Sequence, residues 1–194
     1  MALPPRLVIA SRNPGKVREI LRICADWPVT WITDGEWPEV EETGATYLDN
    51  AQLKARAVAG ATGEAALADD SGIEVDALGG APGPRSARYA GESATDEQNL
   101  RALLSALKGV PGGGRTARYR AVAAVALPTG DEVWAEGVCE GVLRTRPDGE
   151  GGFGYDPVFQ PEGWDRTMAR LTPAEKDRVS HRGRALRALR ATLA

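Results

Sequence analysis

The apolar positions change period along the chain, and each change marks an element. Leu7-Val8-Ile9-Ala10 is a short unbroken apolar run, which predicts a buried strand. After the polar stretch Ser11 to Lys16, the residues Val17, Ile20, Leu21 and Cys24 fall at i, i+3, i+4 and i+7, one face of a helix. Asn13 suits the cap of that helix and Pro14 its first position. Val29-Thr30-Trp31-Ile32 predicts a second strand, residues 34–45 are polar and turn-rich, and a helix is expected from about Thr46 to Ala59. A third apolar run, Ala65-Ala66-Leu67, leads into Ala68-Asp69-Asp70-Ser71-Gly72, and alternation resumes at Ile73, Val75 and Ala77. Thr95 and Gln98 form a capping box ahead of a helix whose face is Leu100, Leu103, Leu104 and Leu107. Residues 115–127 and 131–143 predict two longer strands joined as an antiparallel hairpin by Pro128-Thr129-Gly130-Asp131. A last helix is expected from about Ser180 to Leu193, with Ser180 as its cap and Leu186, Leu189 and Leu193 on one face.

This order of strands and helices predicts an α/β protein with a mixed sheet. A chain of 194 residues suits one compact domain or one domain with two lobes. A net charge of −3 argues against a protein built to coat a nucleic acid polymer, which shows a basic surface. No run approaches the ~18 apolar residues of a membrane span, and the N-terminal stretch has no secretory apolar region. A cytoplasmic protein without a membrane partner is the expectation. Cys24 and Cys139 have neither disulfide nor metal-site spacing, and Cys24 sits on an apolar helix face, so it reads as a buried thiol.

Asp69 and Asp70 stand at the end of a buried strand. A buried carboxylate is costly unless it is paired or binds a metal. The pair is therefore the foremost metal or general-base candidate in the chain. The basic residues add to the picture. Only four of the 24 are Lys: Lys16, Lys54, Lys108 and Lys176. A Lys kept in an Arg-rich background marks a place where a compact ammonium serves and a planar fork does not. Lys108, beside Gly109 at a helix end, reads as an ordinary solvated cation. Lys16 opens a helix after a strand and a tight turn, where free N–H groups and the helix dipole favour a phosphate. Asn50 and Lys54 share one face of their helix. His181 and Arg182 fall in a first helical turn, where cations oppose the dipole, and so point to an anionic or acceptor-rich partner. A surface His in such a turn also needs no function. Phe153, in the Gly-rich segment 149–161, offers a flat ring to a base. Cations, carboxylates suited to Mg²⁺ and a stacking ring together point to a nucleoside triphosphate with Mg²⁺. Neither a Walker motif nor a Gly-x-Gly-x-x-Gly turn is present.

Six ordered blocks across the chain resemble the inosine/xanthosine triphosphate pyrophosphatases, which act on non-standard purine nucleotides. They are Ser11-Arg12-Asn13-Pro14-Gly15-Lys16; Glu42 to Tyr47 with Asn50-Ala51 and Lys54-Ala55; Ala68 to Gly72; Gly80 to Gly83 with Ser86 to Tyr89; Gly152-Phe153-Gly154-Tyr155-Asp156-Pro157; and Glu175-Lys176 with Ser180-His181-Arg182. The resemblance implies one two-lobed α/β domain over residues 1–194, a mixed sheet flanked by helices, a substrate cleft between lobes and a homodimer. It also implies Mg²⁺-dependent conversion of a purine nucleoside triphosphate and water to the monophosphate and pyrophosphate. By motif, Asp70 is the implied general base, and Glu42 and Asp70 are the implied metal ligands. Residues 11–16, Lys54 and Lys176 are implied phosphate contacts, with Asp69 and Ser71 at the substrate. Phe153, Gly154, Tyr155, Asp156, His181 and Arg182 are the implied base pocket, and donors from His181 and Arg182 would meet a 6-keto oxygen. The chain departs from the family in having Ser11-Arg12 where Thr and a small or polar residue are usual. Arg170 also stands where an acid is usual.

Three other readings share these residues. A phosphatase passing through an aspartyl-phosphate would release orthophosphate, although such enzymes carry Asp-x-Asp. A nucleotide-binding regulator would show no turnover. A related pyrophosphatase would prefer modified pyrimidine nucleotides.

Overall fold

The computed structural model describes residues 1–193. Its elements are β1 (Arg6–Ile9), α1 (Pro14–Ile23), β2 (Thr30–Ile32), α2 (Tyr47–Thr62), β3 (Ala66–Val75), α3 (Asp96–Ala106), β4 (Thr116–Ala126), β5 (Glu132–Leu143), β6 (Phe159–Pro161), α4 (Pro173–Val179) and α5 (His181–Thr192). The strands form one sheet in the order β2-β1-β3-β4-β5-β6. β1 runs parallel to β2 and to β3, whereas β6 runs antiparallel to β5, so the sheet is mixed as expected. A tight turn closed by Leu127 N–H donating to the Asp131 carbonyl joins β4 to β5.

The chain divides into two compact units. The first holds Met1–Asp70, Ala121–Gly137 and Arg182–Ala194; the second holds Ser71–Arg120 and Val138–His181. In the first unit, strand alternation sorts side chains onto two faces. Leu7, Ile9, Leu67, Ala121, Ala123 and Val125 pack with Ile20 and Cys24, and with Ala185, Leu186 and Leu189 of α5. Val8, Ala10, Ala66, Ala68, Val122 and Ala124 pack instead with Ala51, Ala55, Val58 and Ala59 of α2. Alanines dominate this second face, which lets α2 lie close to the strands. The second unit has its own core. Ile73, Val75, Ala117, Tyr119, Cys139 and Leu143 from the strands meet Leu100, Leu103 and Leu107, together with Phe159 and Met168.

Local signals account for most helix ends. The Asn13 side chain accepts from the N–H groups of Gly15 and Lys16, and Pro14 opens α1. Thr95 and Gln98 close the capping box of α3. Four features differ from the expectation. β3 runs unbroken through Asp69-Asp70-Ser71-Gly72, because the two carboxylates find partners and need not interrupt the strand. α2 continues to Thr62 and stops at Gly63, whose φ of 68° suits glycine. α4 is an additional helix: Thr172 and Glu175 form its capping box and Pro173 its first position, while Ser180 ends it. Ala77 lies in a short 3-10 turn, Asp76–Leu78, outside the strand alternation.

Candidate active site

The first unit gathers charge around β3. Successive residues of a strand point to opposite faces, so Asp69 follows Leu67 toward α1 and α5, and Asp70 follows Ala66 and Ala68 toward α2. Arg182 donates from Nε (3.1 Å) and Nη2 (2.8 Å) to Asp69 Oδ2, and its Nη1 donates to Glu19 Oε2. Lys16 Nζ lies 3.3 Å from the same Asp69 oxygen. Burial alone would raise the proton affinity of Asp69. The charges of Arg182, Lys16 and Lys54 outweigh it and hold this carboxyl well below the usual range. The paired guanidinium of Arg182, 1% exposed, explains how a cation tolerates the first turn of α5.

Asp70 goes the other way. Burial pushes its pKa up and the charge of Glu42 adds to this, while Lys54, Lys16 and a hydrogen bond from Asn50 pull back only in part. Asn50 Nδ2 donates to Asp70 Oδ2 at 3.0 Å, and Lys54 Nζ lies 3.7 Å from Asp70 Oδ1. Lys54 also donates to Glu42 Oε1 and to the Asp69 carbonyl, both at 2.7 Å. Burial disfavours the Lys54 cation, but Asp70, Glu42 and Asp69 more than compensate and raise its pKa. Lys16 differs: burial prevails and lowers its pKa despite Asp69. Among Glu39, Glu41 and Glu42, Glu42 is the one turned inward, to Lys54. Its segment is tied to α2 by Gly44 N–H donating to Asn50 Oδ1 at 2.8 Å. A Cβ at Gly44 would fall 2.6 Å from that oxygen, so the close approach requires glycine.

The turn from Ser11 to Lys16 lies at the N-terminus of α1. Ser11 Oγ accepts from Asn13 N–H, and Arg12 Nη2 donates to the Trp37 carbonyl at 3.0 Å. Arg12 is also 3.7 Å from Glu39.

The second unit carries the other cluster. Asp156 is buried, and its Oδ2 accepts from Phe153 N–H at 2.9 Å and from Lys176 Nζ at 2.5 Å. Gly152 has φ 76°, and a Cβ there would fall 2.0 Å from Asp156 Oδ2. Only glycine leaves room for the carboxylate under the loop. Lys176 Nζ also stands 4.9 Å from the centre of the Phe153 ring. Gly154 N–H donates to Asp96 at 2.8 Å, and the Tyr155 hydroxyl donates to the Ser86 carbonyl at 2.7 Å. Buried His181 stacks on Tyr119, with ring centres 4.5 Å apart and planes 9° apart.

The residues expected at the site thus fall into two groups. Lys54, Asp69, Asp70, Glu42, the 11–16 turn and Arg182 belong to the first unit. Phe153, Gly154, Tyr155, Asp156, Lys176 and His181 belong to the second, with Ser71 at its first position in the chain. Lys176, expected among phosphate contacts, is engaged with Asp156 and Phe153. Arg182, expected beside a base with His181, is engaged with Asp69 and Glu19. Arg170, one of the family departures, pairs with Asp148 at 2.8 Å on the surface. Sequence reasoning missed Glu19 and Tyr119. Glu19 falls four residues after buried Gly15 on α1, and Tyr119 is the one bulky member of the alternation Ala117, Tyr119, Ala121, Ala123.

Glu42 and Asp70 converge on one ammonium and supply hard oxygen donors. Mg²⁺ is commonly held by one or two carboxylates and completed by substrate phosphates. Among the described residues no group of three or more His, Cys, Asp or Glu side chains forms a closed metal cage. Two carboxylates are a donor number that Mg²⁺ accepts where phosphate oxygens complete its shell.

Part-buried lysines and carboxylates beside a helix N-terminus give this α/β protein the groups that bind a polyphosphate. The chain belongs to the Ham1 family, whose sequence pattern matches residues 7–192. It is 51% identical over 185 residues to the dITP/XTP pyrophosphatase of Desulforamulus reducens, covering 94% of this chain and 92% of that protein. It is 45% identical to the dITP/XTP pyrophosphatase of Bacillus subtilis, covering 97% of each. The fold matches a HAM1 protein from Coxiella burnetii with a TM-score of 0.87 at 40% identity, covering 100% of this chain and 98% of that one.

Proposed function

We propose that this protein hydrolyses non-standard purine nucleoside triphosphates, ITP, dITP, XTP and dXTP, to the monophosphate and pyrophosphate, and so cleanses the nucleotide pool. The observation that carries the reading is Asp70: a buried carboxylate oriented by Asn50 and facing Lys54, which also holds Glu42. A carboxylate held in place beside the attacking water can accept its proton. The water oxygen forms a bond to the α-phosphorus, its proton passes to Asp70, and the bond to the bridging oxygen breaks to release pyrophosphate. Lys54, Lys16 and the N–H groups of the 11–16 turn neutralise charge on the phosphates. Glu42 and Asp70 would hold Mg²⁺, which when bound supplies further neutralisation of the leaving pyrophosphate.

The second unit supplies base recognition. The Phe153 ring stacks on the purine. A donor at His181 meets the 6-keto oxygen of hypoxanthine or xanthine; the 6-amino group of adenine would leave that donor facing another donor. Arg182 acts on the phosphate side by holding Asp69. The same reading takes residues 1–194 as one enzymatic domain, active as a cytoplasmic homodimer. No helix among the described residues is long and apolar enough to cross a membrane.

Product analysis tests the proposal. Purified protein is given Mg²⁺ and ITP, dITP, XTP, ATP or GTP in parallel, with an EDTA arm. IMP or XMP plus pyrophosphate is expected, with ATP and GTP nearly untouched and no activity in EDTA. Orthophosphate as the direct product would indicate a phosphatase, and absence of turnover would indicate a binding protein.

A further inference from the structure

We propose that Tyr119 is a positioning residue that sets base selectivity by fixing the His181 imidazole and the Asp156–Lys176 pair at once. The inference rests on the function proposed above and extends it to a residue in the middle of β4. Tyr119 is 7% exposed. A buried phenol is stable where its hydroxyl finds an acceptor. Here the Tyr119 hydroxyl donates to Asp156, and burial together with the Asp156 charge keeps the phenol protonated. Asp156 thereby takes three donors from its own unit: Phe153 N–H, the Lys176 ammonium and the Tyr119 hydroxyl. A carboxylate so occupied orients its neighbours and does not itself read a base. Its effect is to hold the Lys176 ammonium beside the Phe153 ring.

The second contact of Tyr119 is through its ring face. Imidazole N–H groups lie in the ring plane, so whatever fixes the plane aims the donor. Tyr119 lies nearly parallel to His181, with 9° between planes, and is itself wedged edge-on by Phe159 at 4.7 Å and 63°. Rotation of the imidazole would break the stack. One residue therefore orients both cationic or donor groups of the cluster, His181 by its face and Lys176 through Asp156.

The test uses one conservative variant and one spectroscopic signal. Tyr119→Phe keeps the ring and removes only the hydroxyl. It should raise KM for ITP about tenfold through the lost aim of Lys176, with kcat within about twofold. The ratio of kcat/KM for ITP over ATP should fall by a similar factor. A Tyr119 that served packing alone would lower stability in this variant and leave KM and the ratio unchanged, which would overturn the selectivity role. His181 is the only histidine in the chain, so its imidazole C–H lines in a proton NMR spectrum need no assignment. Stacking on Tyr119 should shift them upfield of their position in the same protein unfolded in urea, both in the wild type and in Tyr119→Phe. Lines at the unfolded position in the native protein would overturn the stack. Absence of ITP turnover in the wild type would defeat the proposed function instead, while the NMR lines would still decide the positioning of His181.

Discussion

The charged cluster of the first unit and that of the second are both buried, yet they are built on different plans. In the first, Lys16, Lys54 and Arg182 are shared among Glu19, Glu42, Asp69 and Asp70, and Lys54, Arg182 and Asp69 each touch two partners. In the second, one carboxylate, Asp156, collects donors from three directions. Sharing makes each proton depend on all the other charges. Its clearest result is that neighbours Asp69 and Asp70 shift in opposite directions. Saturation does the reverse and leaves Asp156 a fixed shape. In the function proposed above, the first plan serves acid–base chemistry, which uses groups whose pKa values are pushed apart, and the second holds a recognition geometry.

The contrast between the two adjacent acids is sharpened most by Asp70→Asn. Its kcat should fall by roughly 10²–10⁴-fold, the usual worth of a general base, while the denaturation midpoint stays near that of the wild type. Near-normal turnover would remove Asp70 as the base. Arg182→Met attacks the other acid. Leaving Asp69 and Glu19 buried without their cation should cost about 3–5 kcal/mol in urea unfolding; a loss under ~1 kcal/mol would mean the pairing is not structural. Lys54→Arg comes next. A planar fork cannot lie between Glu42, Asp70 and the Asp69 carbonyl as a point charge does. We expect kcat/KM to drop about tenfold, and unchanged kinetics would sink the argument from retained lysines. The smallest effect concerns Cys24, where burial has no cation to oppose it. Burial, with Asp26 adding, pushes this thiol up to about 12 from 9.0. Because the folded value is the higher one, the contribution to stability is complete below pH 9.0 and is lost as pH rises toward about 12. A thiol reagent at pH 8 should label Cys24 only after unfolding, and rapid labelling of the native protein would contradict the burial.

What was legible in the chain was local. Asn13 with Pro14, and Thr95 with Gln98, each satisfy N–H groups two or three residues away, and their helices begin where those residues predict. The same logic was available at Thr172-Pro173-Ala174-Glu175 and would have revealed α4. The continuity of β3 was not legible, because Asp, Ser and Gly are poor strand formers. The cations that make the strand tolerable come from α1, α2 and α5. Arg182 and Asp69 are 113 positions apart, and no periodicity reports such a pairing. For the same reason the adjacent residues His181 and Arg182 looked like one feature, yet they join different clusters. Lys176 is marked out by being Lys, but its type alone does not report the Asp156 carboxylate as a partner.

The parity of β3 bears on how this gene can change. Substitutions at Ala66 or Ala68 alter packing on one face and leave Asp69 and Asp70 where they are. Deletion or insertion of a single codon within Ala66–Ala68 would keep both aspartates in the sequence and exchange their faces, presenting Asp69 to Asn50 and Lys54, and Asp70 to Arg182. Composition would be nearly intact and both roles would be lost. Lineages of this enzyme should therefore hold the length of this stretch fixed even where its residues change.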